Sequence, residues 1–363
     1  MKSKEPTLKY IAEKLNISTT TVSKALKGYK DVNTNTREKV LELAKELDYK
    51  PNSFAVNFRT NESKIIGIII PEIVHHFFSN VINGIIAEAE KQDYLVIILQ
   101  SNESKEMEKR QVELLMNKRV DGIIISLSNE SNDDDHLKTI LNKNIPLVLI
   151  DKISKLIDCS KVIIDDRKAA FEAVNHLIQV GCKKIAHIRG PENPQNAIDR
   201  FMGYKTAIEK NHLVFDKSLI YTCTKVSFDE GYNFAKKIIT EHPDVDGIFC
   251  ITDLVAFGVL TYLNEMKINV PNQIAVIGFS NWFMSEVISP KLSTIEQPGY
   301  EMGTEAFLLL KEEINNLKNN ENRISKSIVL PTKLIVREST LKWLRLFQSK
   351  WKFWTYTNLT FYI

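Results

Sequence analysis

Apolar positions along the chain fall into two regimes. The first is helical and spans Thr7 to Leu47. Leu8, Ile11, Ala12 and Leu15 repeat at i, i+3, i+4, i+7, which predicts a helix from Leu8 to Leu15. Only Asn16 and Ile17 stand between it and a second helix. Ser18 is a good N-cap for that helix, because its hydroxyl can accept from free amides of the first turn. Ile17 and Val22 can close as a hydrophobic staple. Val22 and Leu26 then face a core, and Thr19, Thr20, Ser23, Lys24 and Lys27 take the other side. A turn this short forces a steep crossing, as in helix-turn-helix units. The outer face is short, polar and basic, and suits the major groove of DNA. A third helix is predicted from about Thr36 to Leu47, with Val40, Leu43, Ala44 and Leu47 inward. Pro51 disfavours helix at Lys50 and stops it. Asn52 to Arg59 can make two more turns.

From Ile65 the pattern alternates apolar strand and amphipathic helix. Predicted strands are Ile65–Ile70, Leu95–Leu99, Gly122–Ser126 and Pro146–Ile150. A second series is Val162–Ile164, Lys184–Ile188, Leu219–Thr222, Gly247–Ile251 and Ile274–Gly278. Helices are expected between them at 80–91, 105–118, 168–180, 202–210, 228–240, 254–266 and 300–317. Continuous apolar strands flanked by helices mean parallel sheets covered on both faces. The fold class is therefore α/β: a helical N-terminal unit, then two doubly wound lobes. A ligand is expected outside the carboxyl ends of the strands, between the lobes.

Charge sharpens this division. The net +3 of the 363 residues is unevenly spread. Residues 1–60 carry a net +5 and residues 340–363 a net +4, leaving −6 on the body. A basic head on an acidic body suits a protein whose head alone meets a polyanion. Four cysteines, Cys159, Cys182, Cys223 and Cys250, lie far apart with no C-x-x-C pair. They read as reduced core thiols. No apolar run approaches a membrane span, and the polar N-terminus lacks a signal core. A cytoplasmic protein is expected. No Gly-rich phosphate loop or metal-spaced His cluster occurs, so no cofactor and no metal are expected. His75-His76 are read as loop residues.

The chain resembles the lactose-repressor (LacI/GalR) family of transcription regulators over about residues 7 to 339. The matching residues are Ile11-Ala12, Ser18-Thr19-Thr20-Thr21-Val22-Ser23, Thr36-Arg37, Tyr49-Lys50-Pro51-Asn52 and Ile66-Gly67-Ile68-Ile69-Ile70-Pro71. Others are Val120-Asp121-Gly122, His187-Ile188-Arg189-Gly190-Pro191, Ile277-Gly278-Phe279 and Leu292-Ser293-Thr294-Ile295 with Gln297-Pro298. The chain departs from the family pattern at Tyr10, where Asp is usual, and at Phe58, where the hinge usually has Leu.

The resemblance implies a helix-turn-helix domain at 1–50, a hinge at 51–62 and a two-lobed effector domain at 63–339. Residues 340–363 are an atypical extension holding Trp343, Trp351 and Trp354. It implies lobes that exchange strands near residue 163 and again after Phe279. It also implies a homodimer on a near-palindromic operator, with a small effector, a sugar or sugar derivative, in the cleft. Thr19, Thr20 and Lys24 are expected at base edges, with Thr21, Ser23, Lys27 and Asn52 also on DNA. Phe58 is expected as a minor-groove wedge with Arg59 beside it.

For the effector, Phe77 or Phe78 can stack on a sugar ring and Asp151 can accept from hydroxyls. Arg200, read as opening a helix, can offer a planar fork to two oxygens. Asn196, Thr252 and Asp253 lie beside these. Ser280 stands where many members carry a ligand-binding Asp. Two other classes compete with a regulator. A secreted solute-binding protein is disfavoured by the helical head, and a kinase-like enzyme by the absence of a phosphate-cradling loop.

Overall fold

The computed structural model describes residues 7–49, 62–73, 76–130 and 133–341. The chain falls into two compact units that divide between Lys64 and Ile65. Asn52, Phe58, Arg59, His75 and the tryptophans of the tail lie outside the described residues.

Among the described residues the N-terminal unit holds three helices: α1 (Leu8–Leu15), α2 (Thr19–Leu26) and α3 (Thr34–Glu46). Thr7 caps α1 by accepting from the Tyr10 amide, and Ser18 caps α2 by accepting from the Thr21 amide. Asn16 ends α1 in the left-handed conformation, at φ 51°, which lets the chain turn within two residues. Asn33 caps α3, so this helix starts two residues before the expected Thr36. Ile11, Ala12, Val22, Ala25, Val32, Val40, Leu43 and Ala44 form its core. Ala25 takes the central place expected for Leu26, which packs at the edge.

The second unit contains two six-stranded sheets. The first has the order β11-β5-β4-β3-β1-β2, from β1 (Ile65–Ile70), β2 (Leu95–Gln100), β3 (Gly122–Ile125), β4 (Leu147–Ile150), β5 (Ser160–Ile164) and β11 (Ser327–Leu330). The second has the order β12-β10-β9-β8-β6-β7. Its strands are β6 (Ile185–Arg189), β7 (Ile220–Thr222), β8 (Gly247–Cys250), β9 (Ala275–Ser280), β10 (Ser293–Glu296) and β12 (Lys333–Ile335). All pairs are parallel except β10 with β12. Strands β1, β3 and β4 carry only Ile, Leu, Val and Gly, with no polar residue, because helices cover both their faces.

The sequence pattern places residues 162–164 in the second series. They belong to β5, which pairs with β4 in the first sheet. The chain crosses between lobes three times: after Ile164, after Glu296 and between Leu330 and Lys333. The helices are α4 (His76–Lys91), α5 (Lys105–Asn117), α6 (Asp135–Asn142), α7 (Asp166–Gln179), α8 (Gln195–Lys210), α9 (Phe228–Glu241), α10 (Asp253–Glu265), α11 (Met284–Val287) and α12 (Gly299–Lys318). After the second crossing α12 returns to the first lobe and packs on α4. His76 thus opens a helix rather than lying in a loop. All four cysteines are free and buried.

One buried polar residue sets a pH dependence. His187 on β6 is stacked on Phe249 and Tyr204, with ring centroids at 4.7 and 5.0 Å. Its Nδ1 lies 3.0 Å from the Phe249 carbonyl, so the neutral ring donates there. Burial drives its pKa down to about 3. Between that value and 6.5 the unfolded chain binds a proton that the folded chain refuses. Stability therefore falls as pH drops through this window, by about 1.4 kcal/mol per pH unit. His187→Phe should flatten that part of the melting profile relative to the parent.

Candidate functional site

The outer face of α2 presents Thr19, Thr20 and Lys27 to solvent, with Thr21, Ser23 and Lys24 half-buried. The Thr21 hydroxyl is hydrogen-bonded to that of Ser18 at 2.8 Å, which leaves it less free than its neighbours. Lys24 is not alone, as the sequence of the helix suggested. Its Nζ donates to Asp31, from the loop after α2, at 2.5 Å. That hydrogen bond holds the Asp31 carboxyl below its ordinary range. A cation on this face is thus partly neutralised before DNA arrives. Asp31→Asn is expected to raise affinity for random-sequence DNA severalfold and steepen its salt dependence, since one more free cation meets the phosphates. Anisotropy titrations over a salt series would show this; an unchanged slope would mean that Asp31 lies off the DNA path.

The second unit carries a cleft of about 900 Å³, counted with its open mouth. Its wall is built where the strands end. Glu72 follows β1, Glu103 follows β2, Asn129 follows β3, and Asp151 and Lys152 follow β4. From the second lobe come Gly190 and Pro191 after β6, Lys225 and Val226 after β7, Thr252 and Asp253 after β8, Ser280 and Trp282 after β9, and Gln297 after β10. All eight residues expected there, Phe77, Phe78, Asp151, Asn196, Arg200, Thr252, Asp253 and Ser280, line it. Phe77 and Phe78 meet edge to face at 5.2 Å and belong to the core as well as to the wall.

Three of these side chains are more committed than their residue types suggested. Arg200 sits in the second turn of α8 rather than at its start, one turn after Asn196. Its Nε donates to Asp166 at 2.7 Å and its Nη1 to the Ile251 carbonyl at 2.9 Å. Its guanidinium carbon lies 3.7 Å from the Phe279 ring centroid. The fork is therefore already held by the protein, and Nη2 is the nitrogen with no protein partner among the described residues. Burial raises the Asp166 carboxyl above its usual range, while Arg200 pulls it back.

Asp253 is 1% exposed, and both its oxygens accept from the protein. Oδ2 takes the Trp282 amide at 2.7 Å and the Ser285 hydroxyl at 2.9 Å; Oδ1 takes the Thr294 hydroxyl at 2.6 Å. Its carboxylate organises the wall and has little left for a ligand. A Cβ on Gly278 would stand 2.2 Å from Oδ1, so this approach requires glycine there. Thr252 is the N-cap of α10 and accepts from the Val255 amide. By contrast, Asp151 takes only the Asn196 amide, at 3.2 Å, among the described side-chain bonds, and its backbone is left-handed at φ 53°. Ser280 has φ 121° and donates to Gln297 Oε1 at 2.9 Å. Gln297 Nε2 is buried without a partner among the described residues.

Sequence reasoning missed Glu72, His76, Glu103, Asn129, Lys152, Trp282 and Gln297. The rule that placed Asp151 at a strand end would have found Glu103, Asn129 and Lys152, which close into a cluster. Lys152 Nζ donates to Glu103 Oε1 at 2.5 Å and to Asn129 Oδ1 at 2.7 Å. Trp282 stands two residues beyond Ser280 and packs on Phe257 at 5.6 Å. Among the described residues no group of three His, Cys, Asp or Glu side chains is placed to hold a metal ion. No described helix is long and apolar enough to cross a membrane.

Both units match family models. The model for bacterial regulatory proteins of the lacI family covers residues 7–52. That for periplasmic binding proteins and the sugar binding domain of the LacI family covers residues 63–338. The chain belongs to the LacI family. It is a DNA-binding transcription regulator with a helix-turn-helix reader and a sensor like periplasmic binding proteins.

The NTD biosynthesis operon regulator NtdR of Bacillus subtilis is 34% identical over 92% of this chain and 100% of its own. The regulator CelR, solved in complex with cellobiose, is 26% identical with a TM-score of 0.70, over 92% of this chain and 99% of its own. The lac repressor dimer, solved on its operator with the anti-inducer ONPF, shares the fold. Its TM-score is 0.82 at 24% identity, over 93% of this chain and 100% of that one.

Proposed function

We propose that this LacI-family regulator senses an uncharged, hydroxyl-rich effector, a saccharide or nucleoside, in the interlobe cleft. The observation that carries this reading is the balance of committed and spare hydrogen-bonding groups on the wall. Among the lining residues Glu72, Glu103, Asp151 and Asp253 face Lys152, Arg200 and Lys225. Lys152 is paired with Glu103 and Arg200 with Asp166, which leaves Lys225 as a rim cation whose ammonium has no acid partner among the described residues. One rim cation is a poor match for a phosphate dianion, whose burial calls for several charge-assisted donors. A polyol needs single donors and acceptors in mixed directions. Arg200 Nη2, Asn196, Asp151 and Gln297 Nε2 supply these. Phe77, Phe78 and Trp282 supply aromatic area for an apolar ring face. Asp253 acts in this reading through the wall it organises, and Ser280 through Gln297. The cleft binds and releases its occupant without turnover.

On the DNA side, Thr19, Thr20 and Lys24 reach base edges from the start of α2, and Thr21, Ser23 and Lys27 hold phosphates. The protein acts in the cytoplasm as a homodimer, since one recognition helix reads few base pairs. A thermal-shift screen pairing sugars and nucleosides with their phosphates tests the effector class. Stabilisation by an unphosphorylated compound, and none by its phosphate, is expected. The reverse order would reject the reading.

A further inference from the structure

Arg337 lies near the end of the described chain and does not line the cleft, yet it bonds a residue that stands between two of the cleft's lining residues. Its side chain is 10% exposed. Nη1 donates to the Leu292 carbonyl at 2.9 Å, and Nη2 to Asn281 Oδ1 at 2.8 Å and to Glu286 at 2.7 Å. Asn281 is the hub of the loop after β9. Its amide donates to the Thr294 hydroxyl at 3.2 Å and its Nδ2 to Glu296 Oε1 at 3.0 Å. On one side of Asn281 is Ser280 and on the other Trp282, both in the cleft wall.

The loop is in a conformation that its residue types do not favour. Ser280 and Asn281 both have positive φ, 121° and 51°. Left-handed backbone is tolerable for Asn and costly for Ser, so it persists only where surrounding bonds over-determine it. Those bonds come from Asp253 beneath Trp282, from Gln297 beside Ser280, and from Glu296, Thr294 and Arg337 around Asn281. Of these only Arg337 brings a fixed planar fork from outside the lobe's cleft face. Two of its bonds share one nitrogen and the third uses the other, which locks the guanidinium plane.

We propose that Arg337 is a positioning residue for effector recognition. Through Asn281 it holds Ser280 and Trp282 in the orientation that faces the cleft. This rests on the reading of the cleft as the effector site. Lys cannot replace Arg337, because one ammonium cannot serve Leu292, Asn281 and Glu286 from a single plane.

The test uses the full chain carrying 5-fluorotryptophan, with the Trp282 resonance assigned through Trp282→Phe. The ligand-free parent, Arg337→Met, Asn281→Gly and the double variant are compared by fluorine NMR. Each is then titrated calorimetrically with D-ribose, D-glucose, cellobiose and cytidine. Asn281→Gly keeps the left-handed backbone accessible while removing both side-chain bonds, so it remains informative if Arg337→Met folds poorly. One narrow Trp282 resonance is expected in the parent and a broadened or split one in each single variant, with no further change in the double. Affinity for whichever probe the parent binds should fall about tenfold, the scale of one charge-assisted hydrogen bond, and the two substitutions should not add. An unchanged Trp282 resonance, or additive losses, would overturn the proposal. A parent that binds none of the four probes would count against the effector class, while the Trp282 resonance would still decide the role of Arg337.

Discussion

Arg200→Met is expected to cost about 3 kcal/mol of sensor stability and to weaken effector binding at least tenfold. Arg200 and Asp166 are both buried, at 4% and 7% exposure, and their 2.7 Å contact is a buried ion pair that anchors Arg200 in the cleft wall. Removing the guanidinium leaves Asp166 buried without its cation, and leaves the Ile251 carbonyl without a donor. The surviving acid then resists ionisation more than it does in the parent. Its folded pKa is already raised by burial, and Arg200 is what lowers it. A raised acid stabilises fully below its unfolded pKa and loses that contribution as pH rises through the folded value. The variant should therefore lose stability from about pH 4 upward as the parent does, but the loss should continue past the pH near 7 at which it levels off in the parent. Asp166→Asn in the same background should remove that slope, because it has no proton to lose. Arg200→Lys should restore little, since an ammonium cannot reach Asp166, Ile251 and the cleft together. Melting curves across pH, with calorimetric titrations of the compound found by the thermal-shift screen, check both halves. A variant that melts and binds like the parent would remove Arg200 from the site.

Val22→Asp should abolish operator binding while sparing the sensor. Val22 is fully buried at the centre of a core of eight residues, all of them in the N-terminal unit. The substitution forfeits about 2 kcal/mol of apolar burial and adds a carboxylate whose desolvation costs several more. A unit this small has only a few kcal/mol to lose. Operator affinity should drop at least a hundredfold. The sensor's melting transition and its effector affinity should stay unchanged, because the sensor has cores of its own. Loss of both transitions together would show that the units fold as one.

Where the chemistry of a residue acts over its own neighbours, the sequence was a sufficient guide. Ser18 and the stripe from Leu8 to Leu15 were legible because caps and helical spacing are local. Strands β1, β3, β4 and β9 were legible because burial on both faces leaves a continuous apolar run. Strands β10, β11 and β12 were not. They are short and mix polar residues with apolar ones, as Ser293–Glu296 and Lys333–Ile335 do at or near the sheet's edge. The cleft residues were found as positions but not as bonding states. That Asp253 spends its carboxylate on Trp282, Ser285 and Thr294 depends on partners 29 to 41 residues away. That Arg200 is held by Asp166, 34 residues earlier, is equally invisible to spacing. Asp31 beside Lys24 was close enough to suspect, yet a loop residue has no helical register to place it.

Occupancy of the cleft is expected to set operator affinity. The most direct test measures the anisotropy of an operator selected by this protein from random DNA. Titrations are run with and without a saturating amount of the saccharide or nucleoside that stabilises it most. Operator affinity should change by about fivefold or more. Saturating operator should shift affinity for that compound by the same factor, and Arg200→Met should abolish both effects. Tight binding of the compound with no change in operator affinity would show that the cleft does not control DNA binding.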